Sequence, residues 1–350
     1  MDKPEKIRAL GLISGGLDST LAARLLIEQG IEIRGVYFST GFCISDPSRP
    51  GRNGGDETGN LCHEALQVGN DLKFAVQVVD VSDEYLGIIT NPRWGYGKNA
   101  NPCVDCRIMM LRKAKEMMED LGANFVFTGE VLGQRPMTQH RPTLRQLEKQ
   151  SGLDGFLLRP LSAKLIPETE VERRGWVNRD KLKGFTGRSR KPQIALAGEM
   201  GLTKYPQPAG GCCFLTDPAY GNKFFDFLKY RNSDSPVTLE DFLILKVGRH
   251  LRLDDKLKIV VGRNESENDL LEQFRPKRWA LTAVDVEGPL ALLDNSIEVE
   301  ELPKAARVVA RYSDGRNRSS VDIKCEKNGT TEVLSVKPMS PEESSKYILT

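Results

Sequence analysis

Histidine is scarce in this chain: His63, His140 and His250 are the only ones in 350 residues. A zinc centre built mainly on imidazole is therefore disfavoured. No apolar run approaches the ~18 residues that a membrane span needs. The leading MDKPEKIRALGLIS passes straight from charged residues into a short apolar run, without a secretory cleavage site. The expected setting is the cytoplasm, with no membrane partner. Net charge is only +2, so the molecule is no polycation, and nucleic-acid affinity would have to come from local patches. No internal repeat and no low-complexity tract occurs. The phosphate-binding pattern G-x-x-x-x-G-K-[ST] is absent as well. The cysteine count is odd, at seven, which argues against a disulfide framework in a chain without a signal peptide.

What is present reads as a large α/β protein. Hydrophobic content is 39% and charged content 28%, ordinary for a globular chain. The length allows roughly two or three domains. IRALGLI, the run Ile31 to Phe38, FAVQVVDV and NFVFT are strand-like, the last ending at Thr128. Asp18 to Gln29, Glu57 to Leu66 and Val104 to Leu121 carry helical spacing. Alternating strands and helices imply right-handed βαβ units. Residues 1–160 are thus expected to form a doubly wound parallel sheet, and 161–230 a basic connecting segment. Residues 231–350 are expected to be a smaller α+β domain. There LILKVGRHLRL, KLKIVVGRN, ALTAVDV and VVARYSD alternate like strands, with weaker signals at SVDIKC and TEVLSV.

SGGLDS, at Ser14, Gly15, Gly16, Leu17, Asp18 and Ser19, follows a strand and opens a helix. Paired glycines permit a tight turn and close approach of an anion. The helix N-terminus then offers N–H groups to phosphate. Asp18 supplies a carboxylate suited to Mg²⁺. Thr128, Gly129 and Glu130 end the fourth strand, where open sheets bind ligands. Gly129 either admits a nucleotide or forms an ordinary turn.

NPCVDCR places Cys103 and Cys106 three apart before a helix. Such a pair serves half a zinc site, a redox couple, part of an iron–sulfur site, or nothing. A second C-x-x-C is missing, and adjacent Cys212 and Cys213 rarely ligate one metal. Prolines flank PAGGCCFLTDP, a stiff loop that presents a thiol. Cys43, Cys62 and Cys325 read as small buried hydrophobes. The stretch Arg173 to Lys191 holds eight basic residues in 19 against one acid, Asp180. It includes Arg174, Arg188 and Arg190, and Trp176 and Phe185 could stack on bases.

The segments SGGLDS, NPCVDCR, TGEVLGQRPMTQH, RPLSAKL, GRSRKPQ and PAGGC-x-L-T-D-P together resemble the three-cysteine branch of the PP-loop tRNA thiolation enzymes. KVGRHLRL and IVVGRNESEND resemble the RNA-binding domain of NFACT-type proteins. The first resemblance implies an adenine-nucleotide α-hydrolase-like fold, ATP with Mg²⁺, and a [4Fe–4S] cluster on Cys103, Cys106 and Cys212. Cys213 would then hold an apolar position. The implied reaction adenylates a uridine carbonyl oxygen of tRNA and replaces it with sulfur, giving 4-thiouridine or 2-thiouridine. The sulfur would come from sulfide or a donor such as a cysteine desulfurase, and a second copy of the chain in a homodimer is the other expected partner. The second resemblance implies phosphate contacts from Arg249, Arg252 and Arg263, with His250 a further surface cation. Two other readings keep the ATP chemistry: a cluster-free persulfide relay, and a PP-loop ligase or amidotransferase acting on a small molecule. A non-enzymatic RNA adaptor is opposed by the intact SGGLDS.

Overall fold

The computed structural model describes residues 6–43, 63–203, 205, 213–231, 235–276, 278–294 and 297–350. They divide into two compact units, the first ending at Phe214 and the second beginning at Leu215. Residues 161–203 therefore belong with the parallel sheet, and the chain changes units inside the stretch read as a connecting segment.

In the first unit β1 (Arg8–Leu12), β2 (Glu32–Ser39), β3 (Val76–Asp80), β4 (Phe125–Thr128) and β5 (Leu157–Leu158) form one parallel sheet in the order β3-β2-β1-β4-β5. The expected doubly wound sheet is present. Its helices are α1 (Leu17–Ile27), α2 (His63–Leu72), α3 (Ser82–Thr90), α4 (Cys103–Asp120), α5 (Arg141–Ser151), α6 (Glu170–Arg173) and α7 (Lys191–Glu199). Central strands covered on both faces need apolar residues throughout. FVFT of β4 is accordingly buried at every position, whereas edge strand β3 is half exposed. Phe125, Phe127, Ile13, Leu21 and Leu26 share one core. Helix α3 carries no clear signal in SDEYLGIIT, a short stretch rich in β-branched residues. Residues 57–62 of the expected second helix lie outside the described residues.

The winding reverses between β1 and β4. Their register pairs Ala9 with Phe125 and Leu12 with Thr128. Both strands thus end level, and SGGLDS and TGE emerge side by side at the switch point where such sheets bind ligands.

In the second unit β6 (Arg249–Arg252), β7 (Lys258–Val261), β8 (Trp279–Ala283), β9 (Ala291–Leu293), β10 (Val321–Lys327) and β11 (Thr330–Val336) form an antiparallel sheet ordered β11-β10-β8-β9-β7-β6. Helices α8 (Pro218–Tyr230), α9 (Leu239–Leu243), α10 (Glu265–Glu272), α11 (Leu302–Tyr312) and α12 (Pro341–Ser345) accompany it. VVARYSD, read as a strand, instead ends α11. With its upstream neighbours the segment has apolar residues at 302, 305, 306 and 309, the spacing of a helix face. Cys325 points into this core, and burial, reinforced by the Glu332 charge, pushes its thiol up to about 12. Among the described residues no helix is long and apolar enough to cross a membrane.

Candidate functional site

The SGGLDS turn is shaped by contacts that only glycine permits. Gly15 has φ +78, and a Cβ there would lie 2.5 Å from Glu64 Cβ. Gly16 precedes α1 in extended conformation, and no side chain caps the helix. The first-turn N–H groups therefore face outward for an anion. Ser19 Oγ donates to Gly16 O at 2.9 Å and lies 3.3 Å from Ser14 Oγ, which braces the turn. Leu17 is a core side chain and offers the site only its main chain.

Gly129 meets this turn directly. A Cβ on it would sit 2.5 Å from both Asp18 C and Ser19 N. Backbone packs on backbone here, so the residue after β4 sets the height of the turn.

Asp18 is the hub of a polar network. Its Oδ2 accepts from Gln134 Nε2 at 2.7 Å and lies 3.6 Å from Arg190 Nη2. Gln193 Nε2 in turn donates to Gln134 Oε1 at 3.0 Å. Two segments distant in sequence, at Gln134 and at Arg190–Gln193, thus converge on one carboxylate. Asp18 Oδ1, Arg190 Nε and Gln193 Oε1 are buried without a hydrogen-bond partner. Groups so placed cost about 1–3 kcal/mol each unless something engages them. A carboxylate oxygen beside open helix N–H groups fits a phosphate-bound Mg²⁺, and the guanidinium fits the phosphate itself.

Behind Gly129, Glu130 is wholly buried. It accepts from Arg107 Nε at 2.8 Å, Arg159 Nε at 3.0 Å and Thr128 Oγ1 at 3.1 Å. Burial alone would raise its pKa. The Arg107 and Arg159 charges outweigh that and hold it at about 2. Arg159 also reaches Glu148 and the Leu144 carbonyl. Arg107 follows Cys106, so this ion cluster ties the cysteine helix to the end of β4.

Cys103 and Cys106 occupy the first turn of α4, both half-buried. A spacing of three puts them on one helix face. Cys212 and Cys62 lie outside the described residues. Cys213 is buried and pairs in an antiparallel bridge with half-exposed Cys43, beside a Phe214 N to Phe42 O hydrogen bond of 3.2 Å. Among the described residues no cluster of three or more His, Cys, Asp or Glu is poised to hold a metal ion.

The expected RNA-binding cations separate into different environments. Arg173 and Arg174 both pair with Glu170. Arg190 belongs to the Asp18 network, while Arg188 and Lys191 are exposed. Trp176 and Phe185 are half-buried against the core of the first unit. Arg249 lies over the Tyr312 ring at 4.4 Å. His250 is not a surface cation: it is fully buried, and burial pushes its pKa well below the ordinary value. Arg252 is 11% exposed and binds Asp226 through Nε at 3.1 Å and Nη2 at 2.8 Å. Asp226 also attracts buried Lys258, 3.5 Å away. In the GRN turn the Glu267 carboxylate accepts from Arg263 N and Nε, each at 2.9 Å. That carboxylate occupies the place expected for a phosphate.

Comparison with known proteins adds to this geometry. Residues 5–164 match the family described as thiamine biosynthesis protein (ThiI), and residues 248–348 match the NFACT protein RNA binding domain. A protein of Akkermansia muciniphila named tRNA-specific 2-thiouridylase MnmA is 27% identical over 249 residues, covering 69% of this chain and 63% of that protein. Its namesake from Syntrophotalea carbinolica is 32% identical over 131 residues, 36% of this chain and 35% of that protein. The chain thus spans less than two thirds of the length of either relative. A solved 4-thiouridine synthetase–RNA complex with bound ATP aligns with 57% of this chain and 54% of that one, at 19% identity and TM-score 0.34.

Proposed function

We propose that this chain, which joins a ThiI-family domain to an NFACT-type RNA-binding domain, is an ATP-dependent tRNA sulfurtransferase. The observation that carries the reading is the convergence of Gln134 and Arg190 on Asp18 of the SGGLDS turn, with Gln193 bracing Gln134. The turn would hold the ATP phosphates, and Asp18 Oδ1 the accompanying Mg²⁺. A uridine carbonyl oxygen attacks the α-phosphorus and pyrophosphate leaves. The adenylated carbon is then open to a sulfur nucleophile, and AMP departs with the original oxygen. The product is 4-thiouridine or 2-thiouridine.

Cys103 and Cys106 would ligate two irons of a [4Fe–4S] cluster and Cys212 a third. Such a cluster supplies an iron that can carry sulfide. The chain's own part is to present both thiols on one helical turn and, through Glu130 and Arg107, to fix that turn relative to the phosphate loop.

Asp18→Ala should abolish tRNA-dependent AMP formation without loss of the fold, and undiminished AMP release would refute the assignment. Anaerobic reconstitution should give about four irons per chain. Alanine at Cys103, Cys106 or Cys212 should lose them, and Cys213→Ala should keep them. Full sulfur transfer by iron-free protein would favour the persulfide relay instead.

A further inference from the structure

Two stretches without a single acidic residue meet beside the cysteine turn. Residues 91–104 read NPRWGYGKNANPCV, and residues 131–147 read VLGQRPMTQHRPTLRQL. They touch: a Cβ on Gly97 would lie 2.9 Å from Met137 Cε, so one backbone rests on the other's side chain. The first stretch is also bound to the cysteines. Asp105, buried between them in sequence, accepts from Arg93 N at 2.9 Å and Trp94 N at 3.1 Å. Gly97 N donates to Asn101 O at 2.8 Å and closes the loop. Arg93 and Trp94 therefore hold a set position relative to Cys103 and Cys106. The Arg93 guanidinium lies over the Trp94 ring at 4.7 Å.

Arg93, Lys98, Arg135 and Arg141 are exposed, and among the described residues none pairs with a carboxylate. The basic stretch around Arg173 behaves oppositely. Arg173, Arg174, Arg179 and Arg190 are all in ion pairs. Unpaired cations around an aromatic–guanidinium stack suit an unstacked strand of nucleic acid. Phosphates meet the charges, and a base meets the ring.

We propose that this surface binds single-stranded RNA: Arg93, Lys98, Arg135 and Arg141 contact phosphates, and a base next to the modified uridine stacks on the Arg93–Trp94 pair. The inference rests on the sulfurtransferase reading, because a uridine must be splayed out to reach the cysteine turn, which unstacks its neighbour.

The test uses the full chain with an unmodified tRNA transcript and a short oligouridylate, measuring affinity across a salt series. Charge reversal at Arg93, Lys98 and Arg135 should lower the salt slope by about 2 to 3, since each lost phosphate contact removes about 0.7 to 0.9. Trp94→Ala should weaken oligouridylate binding about 5- to 100-fold, with Trp94→Phe close to the parent. Unchanged affinity and slope in these variants, with tRNA thiolation intact in the parent, would overturn the surface and leave the enzyme assignment standing. Loss of oligouridylate binding in the variants, with no tRNA-dependent AMP formation by the parent, would do the reverse. A parent that binds no RNA would overturn both.

Discussion

Glu130→Gln removes one negative charge and almost no volume, so it isolates the ion cluster behind the SGGLDS turn. Glu130 is wholly buried, and Arg159 beside it is 0% exposed. Taking one partner from a buried ion pair costs about 3–5 kcal/mol, because the remaining charge is left uncompensated. Arg159 keeps Glu148, which places the expected loss toward the lower figure. The pH dependence is sharper still. The folded carboxyl titrates at about 2, against ~4.3 for an unperturbed glutamate. Between those values the unfolded chain binds the proton and the folded chain does not. Stabilisation is therefore full at neutral pH and fades as pH falls toward 2. The whole shift is about 3 kcal/mol, of which roughly 2 is lost by pH 3. Urea unfolding would be followed by fluorescence in a Trp279→Phe background, where Trp94 and Trp176 report the first unit. Parent and variant should differ by about 3 kcal/mol at pH 7, narrowing by roughly 2 at pH 3. A gap below about 1 kcal/mol at pH 7, or one constant over this range, would refute the account.

Gly129→Ala would press a methyl carbon against the Asp18 and Ser19 backbone, 2.5 Å away; AMP formation should fall more than tenfold while unfolding of the second unit is unchanged. Asp226→Asn leaves Arg252 and Lys258 without their shared anion, and should destabilise the second unit by about 3 kcal/mol in unfolding followed by Trp279 fluorescence. Arg252→Glu should do the same, so a loss of RNA affinity in it reflects folding. Arg249→Glu is the cleaner probe of RNA binding by that unit, and should weaken tRNA affinity at unaltered unfolding midpoint.

Legibility followed the range of the interactions. SGGLDS could be read because its requirements are local: a tight turn, open N–H groups and one carboxylate within six residues. Four strands of the parallel sheet were equally plain as short apolar runs, whereas the two-residue β5 at Leu157–Leu158 was too short to leave a pattern. Glu130 was not legible. A single acid after a strand looks like a turn residue, and its partners lie 23 and 29 positions away. The basic stretch misled for a related reason. Its count of one acid begins at Arg173, and the pairing carboxylates Glu170 and Glu172 lie just upstream. At His250 and Arg252 the side-chain types suggested an exposed strand. The structure instead buries one and neutralises the other against α8, a contact between elements that no local pattern encodes.

The bridge between Cys43 and Cys213 also has a mechanical side. The chain leaves the first unit one residue after Cys213, at Phe214, whose N–H is held by Phe42 O and whose ring lies 5.3 Å from that of Phe42. A pull passed along the chain from Leu215 meets this clamp first. In chain order Cys212 comes before the clamp, as a cable's terminal sits behind its strain relief. Such tension would be taken up by Phe42 and Cys43, just beyond β2, before it passed to the residues that precede Cys213.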